Sequence, residues 1–241
     1  MNPRLLFSTF GLFCLCSQVC VSADANGELI FSDDFERSES QETKDEPGKG
    51  WATNSKNRAK GNKQVDLREG AMFVYLHPEA DHAVSVTQPA IFTDGAVALR
   101  FRLDDPKDEL GLDFADLACK EVHAGHLFAV RVNSRKVICQ DLKTGNMRLD
   151  IREARLAKTP LTDEQKTTLQ GKEKGLNQKT SLGEWHEILV SVEGDALRVD
   201  LDGTETMTFA SPGIAHPTKR LLRLSVPRNA VVDDVRIWRK K

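Results

Sequence analysis

The sequence predicts an all-β fold, a two-sheet antiparallel sandwich with one short helical insertion, and three observations carry that prediction. The first is alternation. Ile188, Val190 and Val192 alternate with Glu187, Ser191 and Glu193, and Leu197, Val199 and Leu201 alternate with Arg198, Asp200 and Asp202. Period two buries one side of each strand and leaves the other wet. The second is turn chemistry: Gly194-Asp195 and Asp202-Gly203 suit tight hairpins, and Thr204 to Phe209 continue as a third strand. The third is rhythm, because strand-like runs recur about every ten residues, as in sandwiches.

Taken in order, the chain begins with Met-Asn-Pro-Arg, an apolar run from Leu5 to about Val21, and the small residues Val21-Ser22-Ala23. This is the pattern of a removable signal peptide over 1–23. The run is shorter than the roughly 20 residues that span a bilayer. The expectation is a soluble exported protein (secreted, periplasmic or at the cell surface) with no membrane insertion after signal removal. Residues 24–241 are expected to form a single domain. Lys and Arg number 34 against 36 Asp and Glu, a balance that gives no electrostatic case for nucleic acid.

Glu36 to Lys63 is polar and reads as a long surface loop pinned by Trp51. Strands are expected at Ala71–Leu76, Ala83–Val86, Ala96–Leu103 and Leu110–Leu117. A hairpin follows, His126–Val132 and Lys136–Leu142 around Asn133-Ser134-Arg135, and then a strand at Met147–Ile151. Thr162, with Gln165 three residues on and Gly171 beyond, marks a capped helix within an insertion at about 160–172. Leu221–Val226 and Val231–Trp238 are the last strands. The similar signatures Asp33-Asp34-Phe35 and Asp233-Asp234-Val235 suggest that the first and last strands lie side by side.

Several of these segments carry a resemblance. Phe31-Ser-Asp-Asp-Phe35, Gly50-Trp51, the Trp185 to Gly203 hairpin and Asp233-Asp-Val-Arg-Ile-Trp238 are similar to concanavalin A-like lectin/glucanase jelly rolls. More narrowly, His123-Ala-Gly-His126-Leu and Ser211-Pro-Gly-Ile-Ala-His-Pro-Thr-Lys219 resemble exported bacterial domains grouped with 3-keto-disaccharide hydrolases. That family commonly opens with a Leu-Phe-Asn-Gly-Lys type motif, where this chain has Phe31-Ser-Asp-Asp-Phe35. The resemblance implies a jelly roll whose partner is carbohydrate and, if it is an enzyme, a hydrolase of glycosidic bonds activated by a neighbouring ketone. The alternative is a non-catalytic glycan-binding or adhesion module.

Retaining glucanases on this scaffold place paired acids on one strand as Glu-x-Asp-x-x-Glu, a motif absent here. Lys120, Glu121, His123 and His126 form the densest polar cluster beside a strand, able to act as general acid and base or, through His123, His126 and Glu121, as metal ligands. The other reading makes His126 a structural histidine at the head of a core strand. His216 and Lys219, in a loop stiffened by Pro212 and Pro217, are candidate sugar contacts or loop anchors. Convergence of His123, His126, His216 and Lys219 on one cleft is expected. Trp185 and Trp238 fall opposite the aliphatic rows and are candidate stacking platforms. Asp34 and Asp234 could hold a structural calcium ion between the terminal strands, or be solvated acids. No other cofactor is implied. Three of the five cysteines leave with the signal, so Cys119 and Cys139 are either bridged, worth roughly 3 kcal/mol by loop closure, or two free thiols.

Overall fold

The computed structural model describes residues 27–241, so the signal segment lies outside the described residues. Fifteen strands form two antiparallel sheets. In chain order they begin with β1 (Glu28–Asp33), β2 (Ala52–Thr53), β3 (Val65–Arg68), β4 (Ala71–Tyr75), β5 (Val84–Phe92), β6 (Gly95–Arg102) and β7 (Glu109–Ala115). They continue with β8 (His126–Asn133), β9 (Lys136–Asp141), β10 (Glu173–Asn177), β11 (His186–Glu193), β12 (Ala196–Leu201), β13 (Thr204–Ala210), β14 (Lys219–Val226) and β15 (Asn229–Arg239). Three helices are α1 (Ser55–Arg58), α2 (Leu149–Leu156) and α3 (Asp163–Leu169).

One sheet has the order β13-β12-β11-β6-β15-β4-β3, with β1 also on β15; the other runs β10-β9-β8-β7-β14-β5-β2. The terminal strands do pair, Asp33 facing Val235. Alternation decides which side of each strand enters the sandwich. Val97, Leu99 and Phe101 of β6 point into the same core as Leu110, Leu112 and Phe114 of β7 and Leu222, Leu224 and Val226 of β14. Phe114 stacks on Phe128 with ring centres 4.7 Å apart and meets Phe92 edge-on. Among the described residues no helix is long and apolar enough to cross a membrane.

Three local expectations are corrected. Met147–Ile151 is not a strand: the chain turns into α2, where Asp150 in the first turn and Arg155 in the last complement the helix dipole and only Ile151 is buried. Two strands were not expected: β3, where Val65 and Leu67 alternate inward over only four residues, and β10, an edge strand exposed along its whole length. The early polar loop is pinned at more than Trp51. Trp51 Nε1 donates to Asp33 Oδ2 (2.8 Å), Asp45 accepts the amides of Gln64 and Val65, and Lys63 Nζ donates to Glu39, Glu42 and Asp66. The capping box at Thr162 and Gln165 forms as expected, and α3 buries no residue.

Candidate functional site

The outer face of the seven-stranded sheet is built mainly from small side chains. Along one row run Thr87, Arg223, Asp113, Ala129 and Gln140; along the next run Ser85, Ser225, Gly111, Arg131 and Ile138. Leucine and phenylalanine occupy the alternate, inward positions of β7, which forces Glu109, Gly111 and Asp113 outward. The result is a strip, the trough, in which glycine, alanine and serine lie between a few charged groups.

Its focus is Asp113, His126 and Arg223, one from each of β7, β8 and β14. His126 Nδ1 lies 2.5 Å from Asp113 Oδ2. An ionised carboxylate only accepts, so Nδ1 is the donor of this pair. Arg223 Nη1 lies against the imidazole, 2.9 Å from Nδ1 and 3.2 Å from Nε2, and is 3.3 Å from Asp113 Oδ1. The His123 ring stacks at 6.2 Å from His126. Burial, then the charges of Arg152, His126 and Arg223, lower the pKa of His123 and favour its neutral form. Gly125 makes this turn possible: its φ is +69°, and a β-carbon there would meet Asp116 O at 2.3 Å.

A second histidine–carboxylate pair closes the same end of the strands. His216 Nε2 lies 3.2 Å from Asp116 Oδ2, which makes Nε2 the donor, and Arg220 Nε lies 3.3 Å from Asp116 Oδ1. His216 Nδ1 is buried without a hydrogen-bond partner. The loop that carries His216 is anchored by the buried carboxylate of Asp141. This carboxylate accepts from Ser211 Oγ, the Gly213 amide, and both the amide and hydroxyl of Thr144. Gly213 approaches it so closely that a β-carbon would sit 1.9 Å from Asp141 Oδ1. These donors outweigh burial and hold the Asp141 pKa below the usual carboxylate value.

His123 and His126 lie together and His216, on Asp116, is at the same end of the β14-β7-β8 row, whereas Lys219 does not join them. Lys219 is 1 % exposed and turns into the core beside Phe128, with Nζ donating to Thr93 O at 2.6 Å. Burial lowers its pKa to about 8. A bulge between Lys219 and Leu221 shifts its register away from the rim. Lys120 Nζ is engaged by Leu117 O, and Glu121 faces a hollow of about 380 Å³ beside Lys143 and Arg148 rather than the imidazoles.

Trp238 is 3 % exposed, laid over Ala96 and Ala98 on the outside of the other sheet, so it offers no stacking face. Trp185 precedes β11 and is flanked by Arg100 at 4.8 Å and Arg102 at 5.5 Å. The carboxylate of Asp234 faces Arg100 at 3.6 Å, and that of Asp34 accepts from the Glu36 amide. Neither belongs to a group of three side-chain metal ligands; among the described residues that description fits only Glu39, Glu42 and Asp66, which surround Lys63. Cys119 and Cys139 are free, and burial pushes the Cys139 thiol up to about 12.

Asp113, Arg223, Asp116 and Arg220 were not singled out from sequence. The signal available was a charge at an outward position of a strand whose neighbours are all core residues, as in Leu110 to Phe114 and Leu222 to Val226.

Solved structures share this architecture at low identity. The β-glucanase of Bacillus licheniformis aligns over 89 % of this chain and 99 % of its own, at 10 % identity and a TM-score of 0.58. The laminarinase catalytic domain of Thermotoga maritima aligns over 90 % and 99 %, at 12 % identity and a TM-score of 0.54. A carbohydrate-binding module from Bacillus subtilis aligns over 77 % and 93 %, at 12 % identity and a TM-score of 0.50. The fold is thus a concanavalin A-like jelly roll. No protein-family model matches the chain, and no curated protein is similar to it.

Proposed function

We propose that the chain is an exported carbohydrate-active protein that seats a glycan or oxidised disaccharide in the trough and transfers protons through His126. The observation that carries this reading is the Asp113–His126–Arg223 cluster, set on three adjacent strands over a floor of Gly111, Ala129 and Ser225. Small floor residues leave room for a sugar ring, and the charged groups above it supply the acceptors and donors that sugar hydroxyls need.

For a glycoside carrying a ketone at C3, the C2 proton is acidified and the glycosidic oxygen on C1 is β to the carbonyl. His126 Nε2 takes the C2 proton while Asp113 holds the imidazole in the required tautomer. The electron pair moves to the ketone oxygen, where Arg223 stabilises the enolate. Collapse of the enolate breaks the C1–O bond, and the departing sugar takes a proton from the imidazolium. Water then adds across the C1=C2 bond of the enone: its oxygen bonds to C1, and His126 takes its proton and returns it to C2. No pair of free carboxylates is needed, which accords with the outward acids of β7 being engaged: Glu109 with Arg131, and Asp113 with His126 and Arg223.

The test uses calorimetry and product analysis on the purified protein with glucans, disaccharides and their 3-keto forms. Turnover confined to a 3-keto form, lost in His126→Ala, supports the reading, and failure to bind any of them overturns it. Binding without turnover in the wild type would identify a glycan-binding module instead. That outcome is favoured by one observation: the Arg223 guanidinium lies against both ring nitrogens of His126, at 2.9 Å from Nδ1 and 3.2 Å from Nε2, and crowds the base.

A further inference from the structure

The sheet opposite the trough carries a second cavity, about 530 Å³, at its β3-β4-β15 edge, where it continues past β6. This is within the size range of ligand sites, roughly 300–1,000 Å³. Its apolar surfaces are the rings of Phe73 and Tyr75, side chains that alternate outward on β4. Its rim is acidic. Asp66, Asp104, Asp105 and Asp108 all line it, against Arg68 and Arg102.

The two arginines are spoken for. Arg68 reaches Asp66 at 3.1 Å while lying over the Phe73 ring at 4.0 Å, and Arg102 binds Asp104 through Nε at 2.9 Å and Nη2 at 3.3 Å. Asp105 is what remains. Asp108 is almost fully buried, accepts from Asn229 Nδ2 and the Asp105 amide, and has only Arg228 nearby at 3.8 Å. Asp105 accepts one amide, that of Lys107, and pairs with no cation among the described residues. The cavity thus joins a flat aromatic surface to one acid, Asp105, that no cation compensates.

A flat ring beside an uncompensated carboxylate recognises a cation carried on a ring with an apolar face. We propose that this cavity binds an amine-bearing sugar unit, with the protonated amine at Asp105 and the sugar ring against Tyr75. This rests on the carbohydrate reading of the protein but not on the trough, which lies on the other sheet.

Tyr75 is the only tyrosine in the chain, so fluorotyrosine labelling of the full-length protein gives a single NMR signal reporting on this cavity alone. Titration with a glucosamine oligomer is expected to shift that signal. Asp105→Asn should weaken the binding about tenfold, the scale of one charge-assisted contact, and Arg223→Ala should leave it unchanged. The matching glucose oligomer and the N-acetylated oligomer should shift the signal little. An unmoved signal overturns the proposal, as does an equal response to the uncharged oligomers or insensitivity to Asp105→Asn. Should that variant fold poorly, the wild type decides by pH: binding must fall as the sugar amine loses its proton, and binding that persists overturns the proposal. Failure of the trough reading would appear separately, as no binding or turnover sensitive to His126→Ala.

Discussion

The two outer faces of the sandwich are built by opposite means. On the seven-stranded sheet, small residues form an open floor and the charged groups stand in clusters that contain imidazoles. On the eight-stranded sheet three aromatic rings are covered by guanidinium groups, Tyr75 being left open: Arg68 and Arg102 over Phe73, Arg100 and Arg102 over Trp185, Arg236 over Trp238. The lesson is that aromatic content alone does not locate a sugar site. Trp185 and Trp238 lie where arginine already stacks on them, Trp51 is buried in the core, and the face with the imidazole clusters carries no tryptophan among the described residues.

The contrast breaks most directly at His126. His126→Ala is expected to lower turnover of a 3-keto glycoside by about 10²–10⁴ while leaving the thermal midpoint nearly unchanged; comparable loss of fold and activity would make the residue structural. Next in size, Asp141→Ala strands Ser211, Thr144 and the Gly213 amide. It should cost on the order of 3 kcal/mol in urea unfolding and weaken trough binding by releasing the His216 loop. Unaltered stability would remove the anchor.

Two buried ions sharpen the comparison through pH. Lys219 titrates near 8 in the folded chain against 10.5 ordinarily. Its favourable contribution is therefore complete only above 10.5 and is lost as pH falls through 8. Lys219→Met should be more stable than wild type below pH 8, with the gap closing at alkaline pH. On the other face, burial and then the Asp234 charge raise Asp233 to about 6 from 3.8. Its contribution is complete below 3.8 and lost as pH rises through 6. Asp233→Asn should raise the melting temperature at pH 7.5 and give no gain at pH 3.5; equal shifts at both would refute the assignment. Smallest of all, Arg102→Ala should cost about 0.5–1 kcal/mol and shift Trp185 fluorescence to the red.

The scaffold was legible because alternation is a direct imprint of burial. Ile188 to Val192 and Leu197 to Leu201 fell on the side expected, as did Val97 to Leu103. Elements without that imprint were missed: β10 has no buried side chain, and α2 has one. The histidines were found by their polarity and neighbouring glycine, yet their partners were not, since Asp113 and Asp116 become meaningful only once β8 and the 211–218 loop are folded against β7. Lys219 was misplaced because a single bulge reverses the side to which a strand residue points.

Lys63 has a consequence for the protein's surroundings. Its ammonium sits among Glu39, Glu42 and Asp66 and fastens the long early loop to β3. A positive charge fixed to the backbone is present at constant local concentration whatever the medium holds. It cannot be diluted away, stripped by a chelator or exchanged for another ion, so at this point the loop keeps its attachment in dilute or metal-poor surroundings, where a borrowed ion would leave.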